Sequence, residues 1–195
     1  MDRLCYALGL SIAQNFIGSG IKEINSQDFA EALDAVYKGK EKKMSFDEAK
    51  KVVTSFFEDL EAHAGEENAR LGKEFLAKNA EQPDVKVTDS GLQYQVIKEG
   101  DGVKPGENDS VTVHYTGRLI DGTVFDSSVE RGEPATFGVK QVIAGWTEAL
   151  LMMSEGSAWR LFIPAELAYG NRGTGPIQPG STLIFDVQLI KVNKK

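Results

Sequence analysis

The sequence predicts an α+β protein in two parts. A C-terminal curved antiparallel sheet wraps on one short helix, preceded by an all-α region with a long connecting helix. Three observations carry this. All six prolines lie at or beyond Pro83, and 14 of the 20 glycines follow the same point. Apolar residues recur at helical spacing before it and alternate at strand spacing from residue 92 onward. The charge does not split: residues 1–82 carry 11 basic and 15 acidic groups, and the remainder carries 11 and 14. The two parts therefore differ in backbone chemistry and not in electrostatics, and the expected domains are 1–82 and 83–195.

In the first part, Leu4, Leu8, Ile12 and Phe16 recur at i+4 and give an amphipathic helix ending near Gly18 and Gly20. Ser26 is the candidate N-cap of a second helix, with Phe29, Leu33, Val36 and Tyr37 facing inward and Gly39 ending it. Ser45, with Glu48 three residues on, is a capping box that opens a third helix. Its stripe runs Phe46, Ala49, Val53, Phe56, Phe57, Leu60, then thins to Ala64, Leu71 and Phe75 among charges. No proline stops it before Pro83, so it is a rod of about 35 residues and roughly 50 Å. The first half reads as packed and the second as an exposed stalk, softened by Gly65 and Gly72. Two short helices and half a rod, about 60 residues, are near the lower limit for a self-sufficient core. A homodimer that buries the surplus aromatics against a second copy answers that shortage; folding back on the C-terminal part is the alternative.

From residue 92 the period is two. Leu92, Tyr94 and Val96 alternate with Gln93 and Gln95; Val111, Val113 and Tyr115 with Thr112 and His114; Leu183, Phe185, Val187 and Leu189 with Ile184, Asp186 and Gln188. Asp121-Gly122 marks a hairpin. Val142 to Leu151 holds one short helical pattern, with Trp146 and Leu150 at i+4.

Composition narrows the function. A net charge of −7 argues against a sequence-independent nucleic-acid binder, and no apolar run approaches the roughly 20 residues of a membrane span. The pair Asp2 and Arg3, with Gln14 and Asn15 interrupting the apolar stretch, argues against a cleavable signal peptide. The single cysteine, Cys5, excludes an intrachain disulfide and reads as a small buried hydrophobe on a helix. The expected compartment is the cytoplasm. His63 and His114 lie in no nucleophile motif, and one Cys with two scattered His cannot build a structural zinc site. The glycines of residues 170–175 run G-x-x-G-x-G without a Lys-Ser/Thr ending and are followed by a strand, so they are no phosphate loop. No cofactor or metal is implied. What remains is a concentration of aromatics with few polar groups: Tyr115, Phe125, Phe137, Trp146, Phe162, Tyr169 and Phe185. Tyr and Trp often line concave sites, because each needs a partner for its polar atom.

Four segments carry a resemblance: VHYTGRLIDGTVFDSS (113–128), G-x-x-x-V-I-x-G-W (138–146), I-P-x-E-L-A-Y-G (163–170) and S-T-L-I-F-D-V-x-L (181–189). In this order they resemble the FKBP-type peptidyl-prolyl cis-trans isomerases over about residues 88–192. The helical first part is similar to that of the Mip-like and FKBP22-like bacterial subgroup, V-shaped homodimers whose N-terminal helices interlock. The resemblance implies a pocket of Tyr115, Phe125, Asp126 and Arg131 on the hairpin and Phe137 after it. Val142 and Ile143 come before the short helix, with Trp146 as floor, Tyr169 at the rim, Ile177 on the last loop and Phe185 on the last strand. Ala135 stands where many members carry an aromatic and Gly173 where some carry a histidine. The 170–180 loop is one residue short, with Gln178 replacing the first of a proline pair. These departures bear on substrate preference and inhibitor affinity, not on the catalytic class.

The implied substrates are proline-containing peptides and unfolded proteins, and the implied inhibitors are macrolides such as tacrolimus or rapamycin. A twisted amide would be held by the Ile143 N–H and the Tyr169 hydroxyl, with Asp126 near the twisted carbonyl and Phe125 in the dry wall. A non-catalytic peptide-binding chaperone or scaffold is the competing class. It would keep the groove and lose Asp126 or Tyr169, and both are present.

Overall fold

The order of elements, in a computed structural model that describes residues 1–194, begins with three helices: α1 (Arg3–Gly18), α2 (Ser26–Tyr37) and α3 (Phe46–Ala80). Then come β1 (Val85–Val87), β2 (Gln93–Lys98), β3 (Ser110–Leu119), β4 (Val124–Ser127), β5 (Ala135–Gly138), α4 (Ala144–Met152), β6 (Ala158–Ile163) and β7 (Leu183–Asn193). The α+β architecture is the expected one. The division by contacts is Met1–Leu60 and Glu61–Lys195, so it falls inside α3 and not at 82/83, where composition changes.

Helix starts follow from side chains that satisfy the first N–H groups. Asp2 caps α1, its carboxylate accepting from Leu4 N at 2.9 Å and Cys5 N at 3.1 Å. Asn25, not Ser26, caps α2, accepting from Gln27 N at 3.0 Å and Asp28 N at 3.2 Å. The planar amide reaches both donors where the shorter serine hydroxyl, one residue on, is already inside the helix. The capping box opens α3 as expected: Glu48 N donates to Ser45 Oγ at 3.2 Å, and Ser45 N to Glu48 Oε2 at 2.9 Å.

Within the first unit, Phe16 and Phe29 meet edge to face at 5.7 Å. No residue of α1 or α2 is buried. Leu4, Ile17 and Tyr37 are 69%, 63% and 85% exposed, and Cys5 is exposed rather than buried as expected. Apolar side chains on all sides of α1 have too few neighbours in one copy of the chain to cover them.

In the second unit the strands form one antiparallel sheet in the order β1-β2-β6-β7-β3-β4, with β5 also paired to β3. Strand β3 alternates as expected, with Val111, Val113 and Tyr115 inward, and β7 turns in Leu183, Phe185, Val187 and Leu189. The register of β3 shifts by one against both neighbours: Thr112 and Val113 pair with Lys191 and Leu189, and Gly117 and Arg118 with Asp126 and Val124, so Ile190 of β7 and Phe125 of β4 are the extra residues of two bulges. The buried face packs on α4 through Trp146, Ala149 and Leu150. On the outer face, Asp186 of β7 accepts from Arg118 of β3 at 2.5 Å and Arg160 of β6 at 2.6 Å, linking three adjacent strands. The Asp121-Gly122 turn closes β3 onto β4, with Gly122 N bonded to Leu119 O at 3.0 Å and Gly122 at φ 89°.

The second half of α3 is not an exposed stalk. Its inner stripe is Gly65, Asn68, Gly72, Phe75 and Asn79, at helical spacing, and it lies against the sheet unit. A Cβ at Gly65 would stand 3.1 Å from Pro179 Cβ, and one at Gly72 only 2.3 Å from Thr182 Oγ1. The two glycines therefore permit close approach rather than soften the helix. Phe75 packs on Phe162 with ring centroids 6.0 Å apart. This cover explains why Gln93, expected to face solvent, is only 5% exposed. Its amide donates to Leu76 O at 2.9 Å and accepts from Asn79 at 2.8 Å, so both polar ends are met.

Candidate active site

Strand β4 pairs Asp126 with Gly117 of β3 and carries Phe125 beside it. Gly117 must lack a side chain, because a Cβ there would come within 2.6 Å of the Phe125 ring and 2.7 Å of the Phe185 ring. Those two rings meet edge to face at 5.5 Å and form one wall. Trp146, 4% exposed in the first turn of α4, is the floor. Its indole meets Tyr115, Phe185 and Phe137 edge to face, at 5.3, 5.2 and 6.0 Å. Edge-to-face packing of this kind fixes ring orientation beyond what burial alone does. The Trp146 indole N–H is buried without an acceptor among the described residues, so the floor offers substrate a ring surface only.

The result is a cleft of about 410 Å³, within the size range of small-ligand sites. Val142 and Ile143 close one side, and Tyr169, 40% exposed, stands at the rim. Ile143 is the N-cap of α4, so no carbonyl of that helix takes its N–H, and the positive end of the helix faces the cleft. Tyr169 follows the short turn Ala165–Leu167 and is anchored by Gly170 N to Ala165 O at 2.8 Å.

At the other end is a charge network. The Tyr115 hydroxyl donates to Asp126 Oδ2, Arg131 Nη1 to Asp126 Oδ1, and Arg131 Nη2 to the Tyr115 oxygen at 3.1 Å. The guanidinium also lies 5.7 Å from the Tyr115 ring centre. Burial alone would raise the Asp126 carboxyl, but the bonds from Tyr115 and Arg131 outweigh it and hold it below the ordinary carboxylate range. Tyr115 is pushed up, first by burial and then by its bond to Asp126. Asp126 is thus a fixed negative charge with both oxygens oriented.

Of the residues expected here, Tyr115, Phe125, Asp126, Phe137, Val142, Ile143, Trp146, Tyr169 and Phe185 line the cleft together. Arg131 stands behind Asp126 and does not line it. Ile177 does not line it either: it is 5% exposed, belongs to the core, and is bridged to Thr174. Gln141 lines the cleft and escaped the sequence reading; its place directly before Val142-Ile143 was the available signal.

Comparison with known proteins shows the family. The family model described as "FKBP-type peptidyl-prolyl cis-trans isomerase" matches residues 102–190, and "Domain amino terminal to FKBP-type peptidyl-prolyl isomerase" matches residues 1–96. The Legionella longbeachae "Outer membrane protein MIP" is 46% identical over 201 residues, covering 99% of this chain and 86% of that protein. The chain belongs to the FKBP-type peptidyl-prolyl cis-trans isomerase family. The "FKBP-type 22 kDa peptidyl-prolyl cis-trans isomerase" of Escherichia coli is 43% identical, covering 96% of this chain and 93% of its own. Among solved structures, FkpA from Escherichia coli superposes with a TM-score of 0.78 at 35% identity, over 98% of this chain and 95% of that one. The FKBP-type chain is accordingly a peptidyl-prolyl isomerase in two parts, an N-terminal domain and an FKBP domain.

Proposed function

We propose that the FKBP-type cleft accelerates X-Pro rotation through shape, dryness and four groups: Asp126, Tyr169, Ile143 and Phe125. The X-Pro bond resists rotation by about 18–20 kcal/mol because twisting breaks amide resonance. Resonance places charge on O and N, so an aromatic cleft with little water favours the twisted, less polar amide over the planar one. Trp146, Phe125 and Phe185 supply that surface. The Ile143 N–H and the Tyr169 hydroxyl hold the peptide on either side of the proline, and Asp126 stands where the rotating carbonyl sweeps past. Lowering the barrier by ~5–7 kcal/mol gives roughly 10⁴–10⁵-fold acceleration. No proton transfer or nucleophile is required. The observation that carries this reading is one cleft joining a Trp floor, a helix-start N–H and a carboxylate fixed by two donors. A protease-coupled isomerisation assay of wild type beside Asp126→Ala tests it; equal rates would sink the role of Asp126.

Substrates are proline-containing peptides and unfolded chains, and macrolides such as tacrolimus compete for the same cleft. The chain works as a homodimer: the apolar faces of α1 and α2, unburied in one copy, are a surface of the kind that a second copy covers. Two clefts on one dimer then give chaperone-like retention of an unfolded client by raising the effective concentration of chain near each site. Sedimentation at twice the calculated mass of 21.3 kDa is expected, and a monomer would refute the pairing. The compartment is the cytoplasm, on the strength of the lone cysteine. Recovery of the protein from periplasmic or membrane fractions would overturn that placement.

A further inference from the structure

The 170–182 loop joins Tyr169 to β7, and Ile177, 5% exposed, is its anchor in the core. It takes left-handed backbone at Gly170, Gly173, Gly175 and Gly180, which is the reason for its glycine pattern. Glycine-rich backbone costs more entropy to fix than any other. Internally the loop is closed by Thr174 N to Ile177 O at 2.7 Å, Ile177 N to Thr174 O at 2.9 Å, and Gly180 N to Gly170 O at 2.9 Å. From outside it is gripped by α3. Asn68 Nδ2 donates to Pro179 O at 3.0 Å, and the acceptor-only carbonyl fixes which end of the amide faces it. Gly65 and Gly72, one turn to either side, bring the helix backbone close enough for this short side chain to reach. Asparagine is a poor residue for a helix interior, so local helix propensity does not account for it.

We propose that Asn68 is a positioning residue for the isomerase site, acting through the loop on Tyr169. The route is short. Asn68 holds the Pro179 carbonyl, the next residue's N–H holds Gly170 O, and Gly170 is the neighbour of Tyr169. A helix outside the segment 102–190 that matches the isomerase family model thus sets the shape of the pocket rim. The inference rests on the reading of Tyr169 given above and adds a residue to it.

The test uses the full chain and four variants: Asn68→Ala, Tyr169→Phe, the two combined, and Asn79→Ala. The last breaks a comparable bond on the same helix face, Asn79 to Gln93, away from the loop. Two readouts are taken, kcat/KM on a proline peptide and the rate of trypsin cleavage after the exposed Arg172. Asn68→Ala is expected to lower kcat/KM by roughly three- to tenfold and to speed cleavage at Arg172, since local opening exposes it. In the Tyr169→Phe background Asn68→Ala should cost little more, because the group it positions is gone. Asn79→Ala should leave both readouts at the wild-type value. Multiplying losses in the double variant, unchanged cleavage in Asn68→Ala, or an equal effect of Asn79→Ala would each overturn the proposal. A neutral Tyr169→Phe would overturn the route through that hydroxyl. An inactive wild type would sink the isomerase reading itself, whereas the trypsin comparison still decides whether Asn68 holds the loop.

Discussion

Removing residues 1–60 and removing residues 1–82 should give fragments of different stability. The shorter cut leaves the second half of α3 on the sheet; the longer one strips it away. Three side-chain bonds between the helix and the sheet are then lost, Asn68 to Pro179 O, Gln93 to Leu76 O and Asn79 to Gln93. At about 1 kcal/mol net each they contribute on the order of 3 kcal/mol. Separating half-buried Phe75 from Phe162 removes about 1 kcal/mol more. Against this, Gly65 and Gly72 cost the helix about 1 kcal/mol apiece, while the other helix residues roughly break even. The balance is about 2 kcal/mol in favour of the 61–195 fragment. For a domain of this size that is roughly 6–10 °C in midpoint. Thermal unfolding followed by circular dichroism at equal concentration measures it. Equal midpoints for 61–195 and 83–195 would refute the claim that the second half of α3 stabilises the sheet unit.

Tyr169→Phe removes one hydroxyl bond and should slow tetrapeptide isomerisation several-fold without lowering the unfolding midpoint. Phe125→Ala opens the wall shared with Phe185 and should slow it further; unchanged rates in both would remove them from the site. Because the folded carboxyl of Asp126 lies below its ordinary value, its network stabilises the fold fully above about pH 4. That stabilisation is lost as pH falls through the lower, folded value. Arg131→Leu deletes one of the donors that lower it, so in a pH series of melting curves the acid loss of stability should be smaller than in wild type and complete at a higher pH. Tacrolimus at saturation should abolish peptide turnover, and Ala135 with the shortened loop should make its binding weaker than in a pocket lacking these departures. Full activity at saturation would place the macrolide elsewhere.

The alternation in β3 and β7 made the sheet legible, because one face of each is buried and a period of two has no other cause. The aromatic floor and wall were legible for a similar reason: Trp146, Phe125 and Phe185 are large, few and concentrated. The second half of α3 was not. Its contact stripe is two glycines, two asparagines and one phenylalanine, and a search for apolar periodicity reads such a stripe as solvent-facing. The same blindness hid Gln93, whose burial is set by a helix ending 13 residues before it. Family likeness places Ile177 in the pocket, whereas in the structure it is bridged to Thr174 and buried in the core. Asn25 is hard to read as the cap because Ser26 beside it satisfies the same preference.

The order of strands in space sets the order of events in making the enzyme. Strand β7 is last in the chain yet lies in the middle of the sheet, between β6 and β3. It carries Phe185, one wall of the cleft. A nascent chain that has emerged only as far as Ser181 therefore holds two disconnected ribbons and half a pocket, while its helical first unit is already complete. Catalysis begins only when the final strand slides into the gap. A premature stop anywhere before Leu183 should leave a polypeptide that exposes its unpaired edges and isomerises nothing, however much of its length was translated.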